Sequence, residues 1–312
     1  MTEIINRVLP IILLIALGFW IRRSGFVTQR TVDDLRKIVV NLALPAVLFT
    51  AFLDLALESR SGVVAVATFL LSIVLYLLGR ALRPRFGARH DYFPFLMTGF
   101  EAGMLGISLY GAAYGLERIG SFAIVDLGHE IFIWFVFLAL LLAKRDGTRH
   151  PRTLLRSFIR SPVVIAIIAG IALNFVGARD VMYEAPIIGG VMNTLAFMGT
   201  LTVPLILLIV GYGIRLDRRG FKEALIPVVV RATILLPLAF VLPPLLMSHL
   251  LGADEYAQAA LFTLLVLPPP FIIPLYMKQG MDDERRYVNN VLSLYTLVSI
   301  AVFIGYVSLN PL

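Results

Sequence analysis

Long, mostly apolar stretches follow one another from one end of this chain to the other, and most of its charge is gathered in the short loops between them. The hydrocarbon core of a bilayer is about 30 Å thick, and a helix crosses it with about 20 apolar residues. With 59% hydrophobic residues and a mean hydropathy of +0.89, 312 residues carry more apolar surface than a soluble fold could cover. The chain therefore reads as an all-α polytopic membrane protein. It has no cysteine, which excludes disulfides and thiolate chemistry. Its net charge of +7 is dispersed among loops, so it signals topology and not a nucleic-acid partner.

Ten spans are expected, at residues 4–21, 32–53, 62–82, 92–114, 122–143, 162–176, 186–214, 221–247, 256–277 and 287–307. No cleavable leader is expected, because residues 2–20 lack a basic start and run into Arg22 and Arg23. Of 27 basic residues, all but Arg7, Arg60, Arg118, Arg179 and Arg231 fall in loops after odd-numbered spans. The positive-inside rule then puts those loops in the cytoplasm and both termini outside it. Ten spans divide at a basic linker into residues 1–147 and 148–312, and an odd number per half turns the halves into inverted repeats.

The stretch 91–115 is apolar yet holds Gly99, Gly103, Gly106, Gly111 and Gly115, with Glu101 near its middle. Glycine weakens a helix and permits other backbone. A mid-membrane carboxylate is costly unless it faces protein or a cavity. The ninth span carries Pro268, Pro269, Pro270 and Pro274, which no straight helix can accommodate. Leu44-Pro45 and Val203-Pro204 sit at matching places in spans two and seven. Interrupted segments in corresponding positions of two halves point to a binding site at their crossing.

Polar residues inside the spans supply the candidates. Glu101 could carry a proton or contact a ligand, or could be the structural partner of Arg231. Arg231 could grip a substrate carboxylate in a fork, or could neutralise Glu101, Asp126 or Glu130. Asp126, His129 and Glu130 share one helix face by their i, i+3, i+4 spacing. They read as a proton relay or as a polar interior face; three ligands on one turn make a poor metal site. Asn174, Asn193, Asn289 and Asn290 read as helix-to-helix glue. Asn41, beside Pro45, is the exception expected to reach a ligand. Gly103, Ser108, Pro269, Pro270 and Pro274 complete the expected substrate site, where peptide groups lie bare.

Several motifs carry a resemblance. The segment N-L-A-L-P-A-V-L-F (41–49), the run 103–115, Asp126-Leu127-Gly128, Ser161-Pro162 and P-P-P-F-I-I-P-L-Y (268–276) are similar, in order and spacing, to motifs of the auxin efflux carrier family. The chain departs from that family at Glu101, where asparagine is usual, and at Ser108, where a proline marks the crossing. The resemblance implies ten helices as two inverted five-helix repeats, with broken helices four and nine crossing as in bile-acid symporters and PIN-type carriers. It implies a scaffold of helices 1, 2, 6 and 7 and a transport part of helices 3–5 and 8–10, in a homodimer of the inner membrane. The expected function is secondary, proton-coupled transport of a small carboxylate metabolite, with no cofactor and no metal. Sodium coupling is the alternative; a channel or an intramembrane enzyme is a more distant one.

Overall fold

The computed structural model describes residues 2–55, 59–146, 160–218, 220–278 and 280–310. Among them there is helix and loop but no strand. Helix α1 is Thr2–Ser24, and α2 is Gln29–Asp54. Pro45 has no N–H to offer, and the turn before it, Val39–Ala43, widens into π geometry. Helix α3 is Ser61–Phe86. The expected fourth span is broken. One helical turn, Phe93–Leu96, leads into non-helical residues 97–101, a π turn at Ala102–Gly106, and α4 at Ile107–Tyr114.

Helix α5 is Leu116–Arg145. The expected boundary at 147/148 lies outside the described residues. Helix α6, Pro162–Phe175, opens as the sequence suggests, with Ser161 extended at its N-cap and Pro162 in its first turn. Helix α7 is Pro186–Gly213, interrupted by a turn at Leu201 just before Pro204. Helix α8 is Phe221–Leu250, and α9 is Glu255–Val266. Beyond α9 the backbone is non-helical through the prolines until a short 3-10 turn at Ile273–Leu275. Helix α10 is Asp282–Leu309. Among the described residues six helices are long and apolar enough to cross a membrane: α2, α3, α5, α7, α8 and α10. Helices α6 and α9 are shorter and apolar.

The helices gather into two neighbourhoods. In one, α1 lies along the second half of α7, while the second half of α2 packs on α6 and on the first half of α7. In the other, α3 packs on α5, and α8 on both α9 and α10, with α5 touching α9. Both are close-fitted. A Cβ at Gly211 of α7 would stand 2.1 Å from the Ile15 carbonyl of α1, and one at Gly128 of α5 would stand 1.7 Å from the Ala65 carbonyl of α3. Small residues let membrane helices approach this far without an aqueous driving force. Asn174 of α6 donates to the Phe52 and Leu55 carbonyls (3.0 and 2.6 Å) at the end of α2. Its expected role as glue is visible here. Val66, Leu70, Val74 and Phe197 are exposed, as residues turned toward lipid would be.

Candidate functional site

The two broken segments meet. The Glu101 N–H donates to the Pro268 carbonyl (2.9 Å). Gly99 has φ +67°, open to glycine but strained for other residues. A Cβ there would sit 2.7 Å from the Pro270 ring. Each segment has peptide groups outside any helix, and each recruits side chains for them. The Phe100 N–H donates to His129 Nε2 on α5 (2.9 Å). Ser299 of α10 donates to the Val266 carbonyl (2.6 Å). The Thr98 hydroxyl donates to the Ser72 carbonyl of α3 (2.6 Å), pinning the first segment from its other side.

Arg231 of α8 holds the two segments together. Its side chain is 1% exposed. Nη1 donates to the Leu96 carbonyl (3.0 Å), and Nη2 to those of Gly99 (2.7 Å) and Leu267 (3.2 Å). The Phe100 and Tyr295 rings lie 5.1 and 5.2 Å from its guanidinium carbon, within cation–π range. Among the described residues Arg231 forms no ion pair with Glu101, Asp126 or Glu130, so its terminal nitrogens serve peptide carbonyls. Hydrogen bonds to a charged group are worth about 1.5–3 kcal/mol each, so this one side chain contributes heavily to the crossing.

Glu101 is 8% exposed. Its Oε2 accepts the Phe271 N–H (2.6 Å), and the Met104 N–H faces the same carboxylate. Met104 and Phe271 in turn line a cavity of about 390 Å³. The cavity runs between the two neighbourhoods to the end of the molecule where basic residues collect. Asp33 and Arg36 of α2, Arg215, Pro274 and Asn289 form its walls. At the opposite end a second cavity of about 190 Å³ lies between Leu55, Ser121, Met247 and Asp254.

On α5, His129 Nδ1 lies 2.8 Å from Asp126 Oδ1. Because Nε2 accepts from Phe100, the ring proton belongs on Nδ1 and points to Asp126. Glu130 accepts the Trp134 indole N–H (2.8 Å). The donor atoms of Asp126, His129 and Glu130 lie within 4.8 Å of one another. Both nitrogens of the histidine are already engaged, so it has no lone pair to spare for a metal. Asp126, Glu130 and Gly103 line a pocket of about 30 Å³, with Leu44 of α2 and Val163 of α6 on its far wall.

The structure thus brings Glu101, Pro269, Pro270, Arg231 and His129 to one crossing, with Asp126 and Glu130 beside it and Pro274 in the cavity wall. It does not bring Asn41 there. That side chain is on an exposed face of α2 and donates to the Lys37 carbonyl one turn back (2.8 Å), a bond asparagine often makes within a helix. The Ser108 hydroxyl likewise serves its own helix, donating to the Met104 carbonyl (2.7 Å). Asn290 bonds both peptide groups of Asp217 (2.8 and 3.0 Å). Asn193 is exposed. Phe100, Met104 and Phe271 escaped the sequence reading, since they act through backbone N–H groups. Ser299 could have been found as a hydroxyl in an otherwise apolar span.

The model of a family described as membrane transport protein matches residues 3–307. An uncharacterized transporter of Methanothermobacter thermautotrophicus is 23% identical over 248 residues, covering 77% of this chain and 76% of that protein. With the match running over nearly its whole length, the chain belongs to the auxin efflux carrier family of membrane transport proteins.

Proposed function

We propose that this protein is a proton-coupled secondary transporter of a small carboxylate metabolite, working by alternating access at the crossing of the fourth and ninth spans. One observation carries the proposal: a buried carboxylate, Glu101, accepts the peptide N–H of Phe271 where two broken segments meet, and Phe271 itself borders a cavity that opens to one end. Discontinuous helices meeting near mid-membrane are how transporters expose peptide dipoles to substrates and coupling ions. Ten spans in two inverted repeats account for a glycine break in one half and a proline break in the other. The neighbourhood of α1, α2, α6 and α7 would be the scaffold, and the helices around the crossing the moving part.

The basic end is the cytoplasmic one by the positive-inside rule. Both termini then lie outside the cytoplasm, in an inner-membrane homodimer whose larger cavity faces inward. Proton coupling is favoured over sodium coupling by Arg231. Carbonyl groups from broken helices are the usual ligands of sodium in such folds, and here a guanidinium takes those of Leu96, Gly99 and Leu267. Glu101 would carry the proton, with Asp126, His129 and Glu130 as its relay.

The test is uptake into proteoliposomes of labelled malonate and indole-3-acetate, with candidates extended by thermal-shift screening. A pH gradient should drive accumulation, and replacing sodium by choline at a clamped gradient should leave it unchanged. Uptake that follows sodium and ignores pH would reject the proton reading. Retention of gradient-driven uptake by Glu101→Gln would remove that side chain from the coupling.

A further inference from the structure

We infer that Glu101 is a built-in competitor of the substrate: its carboxylate takes the Phe271 N–H of a carboxylate-binding subsite that the Met104 N–H also borders, and an incoming anion must displace it. The inference rests on the transporter reading above and gives that reading a coupling step.

The geometry is specific. The three prolines before Phe271 have no N–H, so the Phe271 N–H is the first donor beyond them. The Met104 N–H lies in the π turn on the other broken segment. Both face one carboxylate, and both residues border the 390 Å³ cavity. A solute entering from the basic end therefore arrives at the Phe271 donor that Glu101 already occupies, with Met104 beside it. Peptide N–H groups around a carboxylate make charge-assisted bonds, stronger than neutral ones. Any other carboxylate is offered the same bonds.

Arg231 keeps a positive charge behind the crossing, with no acid paired to it among the described residues. With Glu101 ionised, the two charges offset one another. An entering anion would put two carboxylates at one pair of donors, which like-charge repulsion forbids. If Glu101 takes a proton from the cavity water, it can release the Phe271 N–H, and the anion takes its place with the total charge unchanged. One proton is therefore bound for each carboxylate bound.

Other ionisable groups surround the site. Arg36 and Asp33 of α2 and Arg215 lie along the cavity. Glu130 faces Glu101 from α5, with Asp126 and His129 on the same turn. Tyr295 of α10 lies behind Arg231. Assigning the proton to Glu101 therefore requires a variant at that position.

The experiment uses the purified full-length chain and formate, the smallest carboxylate, which needs nothing but the two donors. Binding is read as the rise in thermal midpoint with formate concentration at several pH values between about 6 and 8. Where Glu101 is ionised, the apparent Kd should rise about tenfold per pH unit, the signature of one linked proton. In Glu101→Gln formate should bind with no such dependence. Glu101→Asp, whose shorter arm withdraws from the Phe271 N–H, should bind formate more tightly than the parent at pH 7 and serves if the glutamine variant does not fold. Formate binding that ignores pH in the parent, binding abolished in a folded Glu101→Gln, or no stabilisation of the parent by formate would each overturn the inference. Gradient-driven malonate uptake alongside pH-independent formate binding would defeat this inference alone. Absence of any uptake would defeat the transporter reading, whatever formate does.

Discussion

The two interruptions that meet at the crossing are made in opposite ways. The first, at 97–101, is a glycine break: Gly99 turns the backbone to positive φ, and every residue in it keeps its N–H. The second, at 267–272, is a proline break, in which Pro268, Pro269 and Pro270 supply carbonyls and no donors. A donor-poor segment must be satisfied from outside. It takes the Glu101 N–H from the glycine break and a guanidinium from α8, while a hydroxyl from α10 caps the last carbonyl of α9 just before it. The glycine break answers with an acid, which claims the first N–H past the prolines. The lesson is a division of labour. Prolines fix one segment and make it hungry for donors, while glycines leave the other free to bring donors and an exchangeable carboxylate.

That contrast can be broken most severely at Arg231. Arg231→Met would strip a charged partner from three buried carbonyls, an expected loss of about 4 kcal/mol or more, and Arg231→Lys would restore part of it. Thermal midpoints in detergent would show this; a methionine variant as stable as the parent would refute the role of Arg231 in holding the two segments together. Next comes Gly99→Ala. Positive φ costs about 1–2 kcal/mol in a residue with a Cβ, and contact with the Pro270 ring adds to it. Pairing it with Pro270→Ala removes the clash but not the strain, so the double variant should recover only part of the stability. A smaller loss, about 1 kcal/mol, is expected for Ser299→Ala, because the Val266 carbonyl keeps no donor from α10. The smallest effect belongs to Pro270→Ala alone, within about 1 kcal/mol. Its mark should be faster hydrogen exchange at Phe271, where the segment loosens.

Much of this was legible beforehand. Glycine and proline declare a break through what they do to φ and to the N–H, so both interruptions could be located from residue type. The Asp126, His129, Glu130 face followed from helical spacing, and Glu101 from the cost of a carboxylate in hydrocarbon. Arg231 was recognised, but its partners were not. A guanidinium seeks oxygen, and side-chain carboxylates are visible in a sequence whereas converging carbonyls of Leu96, Gly99 and Leu267 are not. Asn41 misled for a related reason: residue type cannot say whether an amide will turn to a distant ligand or to the carbonyl one turn behind it. The cavity was hidden too, since Asp33, Met104, Arg215 and Phe271 come together only in the fold.

Helix α6 has a consequence of its own. Its 14 residues rise about 21 Å, against an oily layer of about 30 Å, and exposed Phe175 and Val176 mark its end. Lipid beside it must pinch inward, or its neighbours must tilt to shelter it. Phospholipids with short tails should therefore suit this flank better than long-tailed ones, making tail length a dial on how readily the molecule works.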